Sequence, residues 1–342
     1  MAPASPIAAE ALAAGLEVAR ALGIDVDVDT VSGGVGSAED GAAGLGAVGL
    51  AAGARFWLNG DDEARARHLV EAVGSPGADG LWMARGGYGS ARALGVAAVA
   101  LGAAQAARQR PASMWGFSDG TVLVGHWADQ GWESWLAPPL SQLPRLDDDS
   151  LERLTDAMSG RGVRPFEGLV GLRRGVVEGR LVGGNLAVLC SLVGTPMMPR
   201  LDGGILVVED VNEAAYRVDR MFQQLVGAGV LDGVVGLVVG DFTGVSEREL
   251  EGIAVVVGEL AAQRGWVCAS GLPVGHGGRN ACLPMGRRAR LEVNAVNAVN
   301  AVNAVNAANA VNAANAANAV TAVNANEATS RLSVGLGGGR EA

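Results

Sequence analysis

The segment Gly116-Phe117-Ser118-Asp119-Gly120 contains the residue types that a nucleophilic serine needs. An apolar run, 112–115, stops abruptly at this Gly-x-Ser-x-Gly pattern, and helix-like sequence follows from Thr121. A strand that turns sharply into a helix lifts a serine hydroxyl clear of its neighbours, which is the nucleophile-elbow arrangement. The pattern also suits a Ser118-Asp119 pair that caps the following helix, and by itself it does not separate the two interpretations.

A serine nucleophile requires a base, because its hydroxyl is not appreciably ionised at neutral pH. The chain has 3 histidines. His68 lies among charged residues of a predicted helix, which indicates a solvated position. His126 follows Ser118 on the next predicted helix, about 12 Å away by helix rise, so we expect it to be too distant. His276 lies in a glycine-rich loop and is the candidate base; the alternative is a loop histidine bonded to its own backbone.

Glu209 is the candidate partner of the imidazole. It follows the apolar run 205–208, so its carboxylate is predicted at the end of a strand. A carboxylate in that position can orient the imidazole and stabilise its cation. We interpret Asp210 as the cap of the next helix, which leaves Glu209 for this role; a solvated strand end is the alternative. The chain order Ser118, Glu209, His276 is one of those found among Ser…Asp/Glu…His hydrolases.

A glycine-rich turn, Arg85-Gly86-Gly87-Tyr88-Gly89, follows another short apolar run. An oxyanion hole needs backbone N–H groups that no side chain covers. The predicted donors are the backbone N–H groups of Gly87 and Asp119. A tight turn or a phosphate loop is the alternative, although the stretch lacks the Gly-Lys-Ser/Thr of a P-loop. Within this turn, we expect Arg85, Gly86 and Tyr88 to contact the substrate.

The first part of the chain alternates predicted strands and helices between residues 61 and 129. Such alternation predicts an α/β fold with a parallel sheet covered by helices. Ligands of these sheets gather at the carboxyl ends of the strands. Because the turns at 85–89 and 116–120 both follow strands, we expect them at the same edge of the sheet.

Composition excludes several classes of function. The net charge is −10 with no basic stretch, which argues against a nucleic-acid partner or an anionic membrane. All 26 basic residues are arginine, so no lysine can act as a catalyst. Three cysteines, widely spaced in apolar sequence, favour reduced thiols over disulfides or a metal site. No cofactor or metal is predicted. A poor signal-peptide pattern and no long apolar run lead us to expect a cytoplasmic protein.

Six motifs, in the same order along the chain, resemble the LD-carboxypeptidases (muramoyl-tetrapeptide carboxypeptidases), a family that also includes microcin C immunity peptidases. The motifs are Ala84-Arg85-Gly86-Gly87-Tyr88-Gly89, Gly116-Phe117-Ser118-Asp119, Gly183-Gly184-Asn185-Leu186, Leu206-Val207-Val208-Glu209-Asp210-Val211, Tyr216-Arg217-Val218-Asp219-Arg220-Met221 and Leu272-Pro273-Val274-Gly275-His276. An ordered series of this kind is far more specific than any of its members.

The resemblance implies a flavodoxin-like, parallel-sheet N-terminal domain and a smaller, swivelling β/α C-terminal domain, with the active site between them and a homodimer as the usual assembly. Ser118, Glu209 and His276 fall on the catalytic positions of the family, and residues 85–89 fall on its oxyanion loop. We predict an N-terminal domain at 1–137, a linker at 138–170 and a C-terminal domain at 171–342.

The implied activity is release of the terminal D-Ala from murein tetrapeptides by a serine peptidase, in peptidoglycan recycling. Two alternatives remain open. One is an immunity-type peptidase that cleaves aminoacyl-nucleotide conjugates, for which Trp132, Trp135 and Trp266 are candidate nucleobase-stacking residues. The other is a catalytically dead member of the family.

The chain departs from the family pattern in three places. Its first residues are Met1-Ala2-Pro3, where the family has a strand before an Ala-Pro-like turn, so the first strand of the sheet is in question. Leu136-Ala137-Pro138 stands where His-Gly-Pro is typical. A Val-Asn-Ala repeat at 293–326 has a period of three, which fits neither strand nor helix, and we expect an insertion between strands near 289–291 and 331–334.

Overall fold

The computed structural model describes residues 3–28, 35–36, 57–294 and 330–334. The chain divides into two compact units, Met1–Pro144 and Arg145–Ala342. The boundary between them falls inside the predicted linker, 138–170.

The first unit is an α/β structure, as predicted. Its strands and helices are β1 (Ile7–Ala8), α1 (Ala9–Ala21), β2 (Val35–Gly36), α2 (Asp62–Gly74), β3 (Gly80–Trp82), α3 (Ser90–Ala106), β4 (Ser113–Gly116), α4 (Thr121–Asp129) and β5 (Ser134–Leu136). Strand β4 pairs in parallel with β3 on one side and with β5 on the other. The parallel sheet predicted from the alternation of elements is therefore confirmed.

Strand β4 forms the buried centre of this sheet. All four of its residues are buried, and Met114 is fully inaccessible to solvent. Trp115 lies opposite Trp135 of β5, and their rings stack with centroids 4.7 Å apart. A strand buried on both faces reads as a continuous apolar run, which explains why the sequence identified this element.

Strand β1 pairs in parallel with β2, with Ile7 opposite Val35. The helix α1 begins immediately after β1. A close contact fixes this helix: a Cβ at Gly15 would lie 2.3 Å from the carbonyl oxygen of Leu140, so only glycine fits there.

The predicted linker, 138–170, contains regular structure. Residues 138–144 belong to the first unit and residues 145–170 to the second. A 3-10 helix spans Leu140–Arg145, and α5 (Asp148–Met158) follows it. The acidic residues Asp147-Asp148-Asp149 start this helix, and the Asp147 carboxylate caps α5 by accepting a hydrogen bond from the Ser150 N–H at 2.9 Å.

The second unit is built on a closed barrel of seven strands. After α5, its elements are β6 (Phe166–Arg173), β7 (Gly175–Asn185), α6 (Leu186–Ser191), β8 (Gly204–Val211), α7 (Ala215–Gly227), β9 (Gly236–Thr243), α8 (Glu247–Arg264), β10 (Val267–Ser270), β11 (Leu283–Met285), β12 (Arg288–Val293) and β13 (Ser330–Val334). The barrel order is β10-β6-β13-β12-β7-β8-β9. Strands β7, β8, β9 and β10 run parallel to one another, and the remaining pairs are antiparallel.

Helices α7 and α8 cover the parallel part of the barrel and share one hydrophobic core with it. Helix α7 has an apolar stripe: Val218, Phe222 and Leu225 are buried, and Met221 packs against the same core. In β8, the run from Ile205 to Val208 is entirely inaccessible, so this strand leads from the core directly to Glu209.

The Val-Asn-Ala repeat connects two neighbouring strands. The strands predicted on either side of it are confirmed as β12 and β13, which pair antiparallel with Leu291 opposite Leu332. Apart from Val293 and Asn294, the repeat lies outside the described residues. In the described ranges, none of the helices has the length and apolar character needed to cross a membrane.

Candidate active site

Ser118 lies at the turn between β4 and α4 with a backbone φ of +59°. This left-handed conformation is unfavourable for a residue with a Cβ, and such strain is concentrated at functional sites. A hydrogen bond from the Gly120 N–H to the Phe117 carbonyl, 2.9 Å long, closes the turn. The strand, the sharp turn and the helix predicted for a nucleophile elbow are all present at this position.

The capping alternative for Ser118-Asp119 is wrong. Helix α4 has Gly120 at its N-cap position and receives no side-chain cap. The Asp119 carboxylate instead accepts a 2.7 Å hydrogen bond from the Ser90 N–H, at the start of α3. Burial raises the pKa of Asp119, and its hydrogen bonds from Ser90 and Gly89 act in the opposite direction. Asp119 therefore ties the serine turn to the glycine-rich turn, a role that the sequence did not reveal.

The glycine-rich turn lies against Ser118. A Cβ built on Gly86 would be 2.8 Å from the Ser118 Cβ and 3.1 Å from its Oγ, so glycine is required for this approach. Gly87 has a φ of +105°, and a Cβ there would meet the Ser5 hydroxyl at 2.3 Å. Ser5 Oγ in turn accepts a 3.1 Å hydrogen bond from the Tyr88 N–H.

The two side chains predicted to contact substrate in this turn are exposed. Tyr88 is 52% exposed. Arg85 is also exposed, and its Nη1 donates a 2.8 Å hydrogen bond to the Pro6 carbonyl. The Arg85 guanidinium is thus partly fixed by the backbone while part of it stays accessible.

Arg65 supports the same turn and was missed from the sequence. Its side chain is almost fully buried, and its Nη1 donates 2.7 Å hydrogen bonds to the carbonyls of Pro3 and Gly89. Its other terminal nitrogen pairs with Asp62. Local sequence gives no signal for this role, because an arginine within a charged amphipathic helix usually faces solvent.

Glu209 and His276 are brought together in the second unit. Glu209 is completely buried at the end of β8, and its Oε2 lies 2.8 Å from His276 Nδ1. The alternative of a solvated strand end is therefore wrong for Glu209. The alternative of a His276 ring held only by its own backbone is also wrong, because the ring pairs with a carboxylate 67 residues away in the chain.

The pKa of His276 lies above its ordinary value. Burial of the imidazole acts to lower this pKa, and the charge and hydrogen bond of Glu209 act to raise it and prevail. The Asp210 carboxylate also raises the pKa, whereas the Arg145 guanidinium lowers it. The imidazole thus has a partner that stabilises its cation, as a general base requires.

Asp210 does not cap α7, contrary to the prediction. The N-cap position of α7 is Ala214, which has no side-chain hydrogen bond. Asp210 instead accepts hydrogen bonds from the N–H groups of Ala187 and Val211, both at 2.8 Å. Burial raises the pKa of Asp210 to about 6, and the neighbouring charge of Glu209 contributes to the rise.

The loop that carries His276 is held by an ion pair that the sequence did not reveal. Arg279 Nη2 lies 2.6 Å from Asp241 Oδ1, and Asp241 is buried in β9. The Asp241 N–H also binds the Val274 carbonyl at 2.8 Å. A Cβ on Gly275 would lie 2.7 Å from the Asp241 Cβ, so the loop packs closely on this strand. Burial raises the pKa of Asp241 to about 6, against the lowering effect of Arg279.

The remaining two histidines lie elsewhere in the first unit. His126 contacts Trp127 and Trp132 edge-on, with ring centroids 5.9 and 6.1 Å away. Burial lowers the pKa of His126. His68 lies in α2 and is half-buried. The predicted solvated position of His68 is therefore only partly met, and the exclusion of His68 and His126 as the base stays a prediction.

Gly86→Ala is expected to block Ser118. The added Cβ has no room beside the serine, and displacement of a reacting group by about 1 Å costs roughly 10²-fold in rate. Labelling of Ser118 by a fluorophosphonate probe, followed by intact-protein mass, measures the effect. Gly95→Ala is the matched control, because a Cβ there has nothing within 4 Å. Equal labelling rates in the two variants would contradict the close approach of Gly86 to Ser118.

Glu209→Gln is expected to lower the pKa of His276, because it removes the charge that raises this pKa. The neutral imidazole then persists to lower pH. NMR titration of the imidazole resonances measures the shift, and the 3 histidines of the chain make assignment practical. His126, whose pKa is set by burial, is the internal control. An unchanged or higher pKa of His276 would show that Glu209 is not its electrostatic partner.

Comparison with known proteins gives the family. The profile of the LD-carboxypeptidase N-terminal domain matches residues 1–137, and that of the LD-carboxypeptidase C-terminal domain matches residues 178–291. A murein tetrapeptide carboxypeptidase of Pseudomonas aeruginosa is 31% identical over 309 residues, which cover 86% of this chain and 92% of that protein.

Solved structures agree with this assignment. The crystal structure of a muramoyltetrapeptide carboxypeptidase from Oxalobacter formigenes has a TM-score of 0.68 and 27% identity, and the match covers 86% of this chain and 95% of that one. An MccF-like protein of Bacillus anthracis, at 20% identity and a TM-score of 0.69, shares the fold over 86% of this chain and 92% of that one. The chain belongs to the LD-carboxypeptidase family of serine-type peptidases.

Proposed function

We propose that this carboxypeptidase releases the terminal D-Ala from murein tetrapeptides, with Ser118 as nucleophile, His276 as general base and Glu209 as the residue that orients His276. The observation that carries the proposal is the buried Glu209–His276 pair, with Oε2 and Nδ1 2.8 Å apart. A carboxylate on Nδ1 directs the other ring nitrogen, Nε2, to exchange protons with the reacting groups. The similarity to the murein tetrapeptide carboxypeptidase of Pseudomonas aeruginosa supports the murein tetrapeptide as substrate.

The chemistry follows the acyl-transfer scheme of serine peptidases. Ser118 Oγ attacks the carbonyl carbon of the L-centre of the diamino acid, and His276 accepts the hydroxyl proton. The tetrahedral intermediate collapses, the C–N bond breaks, and His276 returns the proton to the amine of the departing D-Ala. A water molecule then attacks the ester, again with His276 as base, and Ser118 regains its proton as the tripeptide leaves.

Charge on the carbonyl oxygen needs donors fixed in advance. We assign this role to the backbone N–H groups of Gly87 and Asp119. Two contacts constrain the turns that carry these N–H groups. The Asp119 carboxylate accepts a hydrogen bond from the Ser90 N–H, and the Gly86 backbone packs against Ser118. Such rigidity suits an oxyanion hole, which is effective when its donors do not reorganise during the reaction.

The terminal carboxylate of the substrate requires a cation, and we assign it to Arg85. The Arg85 guanidinium is exposed. Within the part of the chain that the structure describes, its hydrogen bond is the one that Nη1 donates to the Pro6 carbonyl. A guanidinium has five N–H donors, so donors remain for a carboxylate.

The alternative activity on aminoacyl-nucleotide conjugates loses part of its support. Two of the three tryptophans suggested for nucleobase stacking are core residues, each 3% exposed: Trp135 stacks on Trp115, and Trp266 lies in the core of the second unit. Trp132 packs edge-on against Trp127. The side chains therefore contribute to folding, and the murein peptide is the better-supported substrate.

We further propose a cytoplasmic location and a homodimer. All three cysteines are free, buried thiols, which suits a reducing compartment. The homodimer is proposed on family resemblance, and the mass of the protein by light scattering tests it.

Ser118→Ala is expected to lower turnover of a murein tetrapeptide by at least about 10³-fold, because the nucleophile is lost while the backbone turn is kept. Release of D-Ala, measured by chromatography, reports the activity, and thermal unfolding checks the fold. An aminoacyl-adenylate analogue assayed in parallel distinguishes the alternative substrate. Near-normal cleavage of the tetrapeptide by this variant would sink the proposed mechanism. A wild-type protein that cleaves neither substrate and resists the fluorophosphonate probe would indicate a catalytically dead member.

Arg85→Met is expected to raise KM for the tetrapeptide by roughly 10-fold or more, because a hydrogen bond to a charged group is worth about 1.5–3 kcal/mol. The same tetrapeptide with a C-terminal amide serves as the second substrate, since it lacks the charge that Arg85 would bind. Arg67→Met, a change of another exposed arginine in the first unit, is the matched control. An equal loss on acid and amide substrates would exclude Arg85 as the carboxylate-binding residue.

A further inference from the structure

Asn185 joins the catalytic pair to a neighbouring helix. It is the last residue of β7 and lies directly opposite Glu209 of β8 in the parallel register. The side chain is 4% exposed. Its Nδ2 donates hydrogen bonds to Glu209 Oε1 at 3.2 Å and to Asp210 Oδ1 at 3.0 Å. Glu209 therefore binds His276 through one oxygen and Asn185 through the other.

The orientation of the Asn185 amide is determined by its partners. Its Oδ1 accepts a 3.0 Å hydrogen bond from the Val188 N–H and so caps α6. A backbone N–H can only donate and an ionised carboxylate can only accept, so oxygen must face Val188 and nitrogen must face Glu209 and Asp210. Both requirements give the same orientation, and the amide cannot flip without losing all three hydrogen bonds.

The two glycines before Asn185 make this placement possible. Gly183 has a φ of +109°, and a Cβ there would lie 2.2 Å from the Val207 carbonyl oxygen. Gly184 has a φ of +139°. Backbone conformations of this kind are accessible to glycine, and they bring the end of β7 against β8 before α6 begins. Gly183 thus allows the close pairing of β7 with β8 that ends with Asn185 opposite Glu209.

We propose that Asn185 is a positioning residue that fixes the Glu209 carboxylate in the orientation that holds His276. The inference rests on the proposed function of Glu209 and His276. A carboxylate with one oxygen bound can turn about its terminal torsion, which is broad for glutamate. A second hydrogen bond, on the other oxygen, removes that freedom. It also compensates the buried charge, which would otherwise be costly.

The variant Asn185→Ser tests the positioning of the Glu209 carboxylate separately from the capping of α6. Serine caps helices as well as asparagine does but lacks the Nδ2 donor. We expect kcat for the tetrapeptide to fall roughly 10- to 100-fold, the value of a hydrogen bond to a charged group, with KM within about twofold. The pKa of His276, measured by NMR titration, is expected to fall, because a mobile Glu209 stabilises the imidazolium less. The acid limb of the kcat/KM profile should move to lower pH by the same amount.

Ser246→Ala is the matched control. Ser246 caps α8 by accepting a hydrogen bond from the Glu249 N–H at 3.3 Å, and it has no part in the Glu209 contacts. This variant is expected to lose a few degrees of Tm, as cap removal does, with kcat and the pKa of His276 unchanged. Should Asn185→Ser fail to fold, Asn185→Thr retains the cap acceptor with a larger side chain and carries the same expectations.

The outcomes separate this inference from the proposed function. A lower Tm with no change in the pKa of His276 would show that Asn185 is only a helix cap and would overturn the proposal. If the wild-type protein fails to cleave murein tetrapeptides, the substrate assignment fails. The NMR titration still tests the link from Asn185 through Glu209 to His276, because it needs no substrate.

Discussion

The arrangement of candidate site residues in the second unit depends on the hydrogen bond between Glu209 and His276. A fully buried carboxylate is unfavourable unless charges and hydrogen bonds replace the lost water. Strand β8 brings Glu209 out of an inaccessible apolar run, β7 supplies the Asn185 amide on one side, and the loop after β10 supplies the imidazole on the other. Three separate segments of the second unit must therefore come together before the buried charge of Glu209 is compensated by hydrogen bonds.

Other buried acids surround this pair, and each fixes a different segment. Asp210 holds the start of α6 through the Ala187 N–H, and Asp241 holds the His276 loop through Arg279. Burial raises the pKa of both carboxyls to about 6, so the unit carries ionisable groups that are poorly solvated. Such clusters are common where a site must be rigid, since satisfied polar networks in a low-dielectric interior specify one arrangement.

In the first unit, steric fit rather than charge compensation constrains the residues around Ser118. The Ser118 turn has a strained φ, and the backbone of Gly86 approaches the serine so closely that a methyl group would collide with it. The Asp119 carboxylate joins the two turns by accepting a hydrogen bond from the Ser90 N–H, and the buried Arg65 guanidinium binds the Gly89 carbonyl at the end of the glycine-rich turn. Strain of this kind persists only where the surrounding contacts over-determine it.

The sequence by itself determined the class of fold, the elbow at Ser118 and the order Ser118, Glu209, His276. These features depend on local patterns: continuous apolar runs for buried strands, glycines at turns, and polar residues immediately after a strand. It also located the strands on either side of the Val-Asn-Ala repeat, because their apolar alternation is local. Family motifs then related segments that lie far apart in the chain.

Only the tertiary structure decided which partner each polar group has. Asp119 binds the N–H at the start of the neighbouring helix rather than capping its own, and Asp210 binds α6 rather than α7. Arg65 is a buried anchor, and the half-buried Arg279 pairs with the buried Asp241. The predicted linker proved to contain a helix and part of a barrel strand. The physical reason is the same throughout. A polar side chain forms its hydrogen bonds with whatever the fold places within about 3 Å, and that neighbour is often 20 to 130 residues away in sequence.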